Sequence, residues 1–126
     1  MNSSKHFTAK ELSCKGGCDT GKMDEEFLAV LERIREEFNK PIKLTSAYRC
    51  PMYNKAISNS GEDGPHTTGK AVDIACSGKD AHEILTLALE EGITGIGISQ
   101  KGAHHKRFIH IDTLGEGTLR PWVWNY

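Results

Sequence analysis

The order of segments predicts an α+β fold, a small, mostly antiparallel sheet with helices packed on one face. Three observations carry this. Apolar residues recur at helical spacing over residues 24–38. Short stretches with strand character stand at 42–48, 70–76, 94–99 and 107–113. The last two are joined by one polar turn, Gln100 to Lys106, which points to a hairpin rather than to the parallel crossovers of a doubly wound sheet.

Taken in order, residues 1–22 read as an N-terminal arm with turns, because Lys15 to Gly21 is too rich in glycine for a regular element. Asp24 is a candidate cap for a helix running to about Phe38, with Phe27, Val30, Leu31, Ile34 and Phe38 on one apolar face and Glu32, Arg33, Glu36 and Glu37 opposite. Pro41 ends that pattern, and Ile42 to Tyr48 reads as a strand. Pro51 suits the first turn of a short helix ending near Ile57. Ser58 to Pro65 is a loop, and Lys70 to Cys76 a second strand. Ser77-Gly78-Lys79-Asp80 resembles a capping box for a helix from about Lys79 to Glu91, with Gly92 as the residue after its end. Thr94 to Ser99 and Arg107 to Thr113 complete the sheet, and the aromatic tail from Arg120 to Tyr126 packs back on the body.

Length and composition restrict the function classes. The 126 residues favour a single domain spanning 1–126. The net charge of −1 gives no electrostatic case for nucleic acid or an anionic surface. No apolar run approaches the roughly 20 residues needed for membrane insertion. The first residues lack an apolar export signal, so synthesis in the cytoplasm is expected. Nothing in the pattern calls for an oligomer, and a monomer is the expectation.

The chemistry concentrates on two strands. In 70–76, Val72 and Ile74 point to one side of the sheet and Ala71, Asp73 and Ala75 to the other. In 107–113, Ile109 and Ile111 share a face opposite Phe108, His110 and Asp112. Asp73 and His110 therefore leave the aliphatic face on the same side. His66 stands seven positions before Asp73, and Gly69 lets the chain turn between them. Two imidazoles and a carboxylate are a usual ligand set for one catalytic Zn2+, with a fourth position left for water. The structural alternative is a loop histidine at 66 and a turn or network carboxylate at 73.

The segment His66-Thr67-Thr68-Gly69-Lys70-Ala71-Val72-Asp73 resembles the His…Gly-x-Ala-x-Asp motif of the zinc D-alanyl-D-alanine carboxypeptidases. Phage L-alanyl-D-glutamate endolysins and the hedgehog signalling domain belong to the same wider group. Phe108-Ile109-His110-Ile111-Asp112 resembles the closing His-x-Asp strand of that group, and Thr45-Ser46-Ala47-Tyr48-Arg49-Cys50-Pro51…Asn54 its Ser-Gly-Tyr-Arg…Asn segment. The opening Phe7 to Cys14, the helix with Leu31 to Glu36, and the ending Arg120-Pro121-Trp122 are similar to a small phage and bacterial branch.

The resemblance implies His66, Asp73 and His110 as zinc ligands. It places Arg49 over the site, to bind a substrate carboxylate or an oxyanion. Ser46 either binds the same substrate end or turns its hydroxyl to a neighbouring strand. Tyr48 is expected to pack, and Asp112 either orients His110 from outside the ligand set or is a plain sheet-edge carboxylate. The implied activity is a zinc peptidase that cuts peptidoglycan stem peptides at a D-amino acid, as a D,D-carboxypeptidase or an endopeptidase. A lone domain of this kind suits release by lysis or attachment to a virion. The alternative is a non-catalytic, zinc-stabilised cell-wall-binding or structural module of the same fold.

The match departs from the family in two places. Relatives carry a proton-moving Glu or His two or three positions before the last ligand, where this chain has Arg107 and Phe108. That leaves His104 and His105, in the hairpin turn, as candidates for the catalytic base, ahead of Glu62, Asp63 and Glu116. The family serine two positions before the first ligand is Gly64 here. Cys14, Cys18, Cys50 and Cys76 are expected first as packed thiols, then as one disulfide, and last as a second metal site. His6 and His82 are expected at the surface. Trp122 and Trp124 either anchor the tail or line a glycan groove.

Overall fold

The computed structural model describes residues 1–18, 21–115 and 117–126, so the candidate Glu116 lies outside the described residues. The elements follow in order as α1 (Ala9–Leu12), α2 (Glu25–Phe38), β1 (Lys43–Ser46), α3 (Pro51–Ile57), β2 (Ala71–Ala75), α4 (Gly78–Glu90), β3 (Gly95–Ser99), β4 (Phe108–Asp112) and β5 (Trp122–Asn125). Short 3₁₀ turns stand at Pro65–Thr68 and His104–Lys106. The five strands form one sheet in the order β1-β2-β4-β3-β5, antiparallel except for the parallel β3–β5 pair. The α+β architecture expected from the sequence is the one observed.

Local chemistry explains most boundaries. The Asp24 carboxylate accepts a hydrogen bond from the Phe27 N–H at 3.0 Å and starts α2, and Asn39 ends it in the left-handed region. Leu28, rather than Val30, joins Phe27, Leu31, Ile34 and Phe38 in the buried stripe. Together with Ala81, Ile84 and Ala88 of α4, these residues pack in one cluster with Leu44, Val72, Ile74, Ile96, Ile109 and Ile111 of the sheet. The sheet thus has one aliphatic face under helices and a second face free for polar residues.

Three expectations are corrected. Ser77 precedes α4 but its hydroxyl makes no capping bond and lies 3.3 Å from His104 Nδ1 instead. The tail does more than pack back, because Trp122–Asn125 adds β5 to the sheet edge beside β3. His6 is not a free surface residue. Its backbone N–H donates to Glu32 and its ring Nδ1 stands 2.6 Å from the same carboxylate, which also accepts from Ser4, so the arm is tied to α2. The arm itself contains α1, with Phe7 and Leu12 fully buried. Among the described residues no helix is long and apolar enough to cross a membrane.

Glycines make two close approaches that position the polar face. Gly69 sits at φ 76°, and a Cβ there would run into the Lys22 carbonyl and Met23, so the chain can pass from the 3₁₀ turn into β2 only with this residue. Gly97 lies opposite both His110 and Trp124, and a Cβ would fall within the indole of Trp124. Gly97→Ala is therefore expected to displace Trp124, cost about 1–3 kcal/mol in urea unfolding, and shift tryptophan emission. Unchanged stability and emission would contradict this packing.

Candidate metal centre and substrate cleft

The polar face is organised by register. Asp73 of β2 stands directly opposite His110 of β4, with Gly97 and Trp124 continuing the same row. On the other side, a bulge at Thr45 shifts β1 so that Leu44 opposes Ile74 on the core face while Ser46 opposes Asp73. His66 arrives from the Pro65–Thr68 turn. Its Nδ1–H donates to the Ala47 carbonyl at 2.7 Å, and its carbonyl accepts from the Arg49 N–H at 3.1 Å. The turn and the end of β1 hold each other in place.

His66, Asp73 and His110 are all buried, and one donor atom from each lies within 4.8 Å of the other two. Asp73 Oδ1 stands 3.2 Å from His66 Nε2 and 3.0 Å from His110 Nδ1. The far nitrogens are already engaged, His66 Nδ1 with Ala47 and His110 Nε2 with Asp112 Oδ2 at 2.8 Å. Neutral imidazoles held this way turn two lone pairs toward one carboxylate. Three electron-rich atoms that close, in a buried site, call for a cation between them. The donor set suits zinc, which accepts imidazole nitrogen and carboxylate oxygen and leaves room for a fourth ligand. Where a proton fills the gap instead, the titration responds accordingly. Burial would raise the Asp73 pKa, but hydrogen bonds from His110 and His66 outweigh it and hold the carboxyl far below its usual range. Burial would lower the His110 pKa, but Asp112 and Asp73 outweigh it and push it up.

Asp112 is wholly buried and serves three partners, one of them the Leu114 N–H at 3.3 Å. It accepts from His110, and from Arg120 through Nε at 2.9 Å and Nη2 at 2.8 Å. Of the two readings of this residue, the one that orients His110 matches the geometry. Gly95 leaves the space for its carboxylate. The Arg120 guanidinium also lies 5.1 Å over the Trp124 ring, and that ring tilts onto His110 with centroids 5.1 Å apart.

Arg49 is fixed by its neighbours. Its Nε donates to Ser46 Oγ at 2.9 Å and its Nη1 to Asn54 Oδ1 at 3.1 Å, while Nη2 stands 3.5 Å from Asp73 Oδ2. Asn54 is buried and in turn donates to Ser60 and the Gly61 carbonyl. The Ser46 hydroxyl oxygen accepts from Arg49 and keeps an O–H to donate, so bracing the arginine is compatible with contact to a substrate. A side chain at Gly64 would collide with Ser60 and Asn54, so this network occupies the space of the expected serine. Tyr48 packs in the core cluster, as expected.

Arg49, His66, Asp73 and His110 line a cleft of about 320 Å³, walled on one side by Pro65, Ile57 and Ser58 and on the other by Phe108, Trp124 and Tyr126. His104 and His105 are not part of it. They are exposed, in a 3₁₀ turn closed by Lys106 and Arg107 hydrogen bonds, and His104 leans on Ser77. Ser77 is four residues beyond Asp73, roughly 13 Å along an extended chain. The structure does not bring either histidine to the site, because the hairpin turn lies past the far end of β4. Glu62 and Asp63 are exposed and do not line the cleft either. Asn54, Arg120 and Tyr126 carry roles to which the sequence reading assigned nothing specific, whereas Trp124, expected to anchor the tail or line a groove, lines the cleft. An arginine directly before the terminal aromatic segment was the one available signal for Arg120. The Ala47 carbonyl had none.

Two outcomes follow from this geometry. Burial works against the Asp112 charge, but Arg120 and His110 outweigh it and set its pKa at about 2, below the ordinary 3.8. A depressed carboxylate stabilises the fold above its unfolded value and loses that contribution as pH falls through the folded one. Arg120→Ala should then cost about 3 kcal/mol near neutrality, and the difference from wild type should shrink as pH falls from about 4 toward 2. A difference that grows in acid would contradict the pairing. Replacing both His104 and His105 by Ala should leave metal binding and any turnover within about twofold of wild type, whereas a base normally contributes about a hundredfold or more.

No curated protein matches the chain. The Peptidase M15 family model matches residues 5–112, which takes in His66, Asp73 and His110 and leaves Arg120 and β5 outside the matched span. With most of its length covered, and an α+β sheet that brings two histidines and an aspartate to one point, the chain belongs to the Peptidase M15 family of zinc-dependent peptidases.

Proposed function

We propose that this protein is a zinc-dependent peptidase that hydrolyses peptidoglycan stem peptides at a D-amino acid, as a D,D-carboxypeptidase or endopeptidase. The observation that carries the reading is the convergence of His66 Nε2, His110 Nδ1 and the Asp73 carboxylate at the floor of a cleft whose wall holds Arg49. His66, Asp73 and His110 would hold the ion. When bound there, zinc polarises a carbonyl and supplies a nucleophilic water near neutral pH.

The protein's own residues do the rest. Ala47 and Asp112 fix the two imidazole orientations. Ser46 and Asn54 take two of the five N–H donors of Arg49 and Asp73 stands near a third, which leaves two for a substrate. In this geometry Arg49 neutralises a terminal carboxylate or a developing oxyanion, and its position is set before substrate arrives. Trp124, Phe108 and Tyr126 supply an apolar wall against which a short peptide can lie and exclude water. Such a substrate places the work of the protein at the cell wall.

One observation favours a second reading. Among the described residues, the ionisable side chains lining the cleft beyond the ligand set are Arg49 and Tyr126, and neither is a carboxylate or imidazole base. A zinc-stabilised module that binds wall peptides without cutting them would need no such group.

Mass spectrometry of muropeptides incubated with zinc-loaded protein separates the two. The peptidase reading expects a new peptide end at a D-residue, lost in His110→Ala and reduced roughly a hundredfold or more in Arg49→Ala. Intact muropeptides that nevertheless co-sediment with the protein would establish the binding module.

A further inference from the structure

The structure carries a second group of metal-ligating side chains, away from the cleft floor. Cys14 and Cys18 come from the N-terminal arm and Cys50 from the residue just before α3, and their sulfurs all lie within 4.8 Å of one another. Cys14 and Cys50 are buried and Cys18 half-buried. We propose that Cys14, Cys18 and Cys50 bind a structural zinc ion through their thiolates, separate from the ion held by His66, Asp73 and His110.

Geometry, donor chemistry and position argue for this site. The Cys14 and Cys50 sulfurs are 3.9 Å apart. Two thiolates each about 2.3 Å from a tetrahedral zinc lie roughly 3.8 Å apart, so these sulfurs already stand at ligand spacing. The backbone also favours charged sulfur. The Cys50 N–H donates to Cys14 Sγ at 3.4 Å. The turn that makes this possible closes with the Gly17 N–H on the Cys14 carbonyl and places Gly17 at φ 83°.

Three thiolates this close repel one another, and a divalent cation between them removes that repulsion. On binding, each of the three thiols releases its proton to solvent and three sulfur–metal bonds form. Thiolate donors select a soft ion such as zinc over calcium or magnesium. Among the described residues three protein donors stand together at this point.

Position gives the site a purpose. The arm and the Tyr48–Pro51 segment are otherwise joined here by the Tyr48 N–H bond to the Leu12 carbonyl. Cys50 follows Arg49 directly and precedes the helix that supplies Asn54. A metal at this point clamps the arm to the segment that aims Arg49. Cys76 lies apart, its thiol near the Ile74 carbonyl, and takes no part.

The test uses the full-length protein, reduced and stripped of metal, then loaded with cobalt as a spectroscopic substitute for zinc. The expected result is a thiolate-to-cobalt charge-transfer band and two zinc equivalents per chain by elemental analysis. Cys14→Ser and Cys18→Ser should each abolish the band and lose one equivalent. His66→Ala should lose the other equivalent and keep the band, and Cys76→Ser should change neither. Absence of the band from reduced wild-type protein overturns the proposal, as does isolation of a metal-free form with Cys14 and Cys50 joined in a disulfide. The wild-type spectrum decides the matter by itself, so a serine variant that fails to fold does not blur the outcome.

Discussion

The structure depends on one cross-strand pair. Asp73 and His110 face each other across β2 and β4, and their side chains leave the sheet on the face opposite α2 and α4. Every other polar residue at the site is arranged around the resulting electrostatic demand, a buried carboxylate flanked by two imidazole lone pairs. Satisfying that demand takes a cation, and the demand exists only because Ala47 and Asp112 occupy the outer nitrogens of the rings.

Support spreads outward from that pair in two directions. Toward the C-terminus, Asp112 passes the orientation of His110 to Arg120, which closes over Trp124 and ties β5 to the site. Toward the N-terminus, the bulge at Thr45 turns Ser46 to the polar face, where it and Asn54 hold Arg49 above the aspartate. The aliphatic face supplies the rigidity for both, since Val72, Ile74, Ile109 and Ile111 alternate with the site residues on the same two strands. Core and site are thus the two faces of one sheet, and a register slip of one residue would exchange them.

Much of this was legible in the residues because strand periodicity is a local property. Alternation in 70–76 and 107–113 put Asp73 and His110 on one side without any knowledge of their pairing, and the apolar stripe of α2 needed only helical spacing. What escaped was set by contacts distant in sequence or by the backbone. The bulge that turns Ser46 has no local signature. The Ala47 carbonyl is invisible to any reading of side chains. The terminal strand failed to register because Trp122–Asn125 is an almost wholly exposed edge strand and is specified by pairing with β3. His104 and His105 misled because proximity in sequence to His110 does not imply proximity in space when strand and turn run away from the site. The convergence of Cys14, Cys18 and Cys50 likewise depends on the arm folding back beside α3, which spacing within the arm does not encode.

The most direct measurement is zinc-edge anomalous diffraction from crystals of the zinc-loaded protein. The account predicts a peak about 2.0–2.1 Å from His66 Nε2 and from His110 Nδ1, with an Asp73 oxygen also in contact and both outer ring nitrogens still bonded to Ala47 and Asp112. No peak between those three side chains, or coordination through His66 Nδ1 or His110 Nε2, would contradict it.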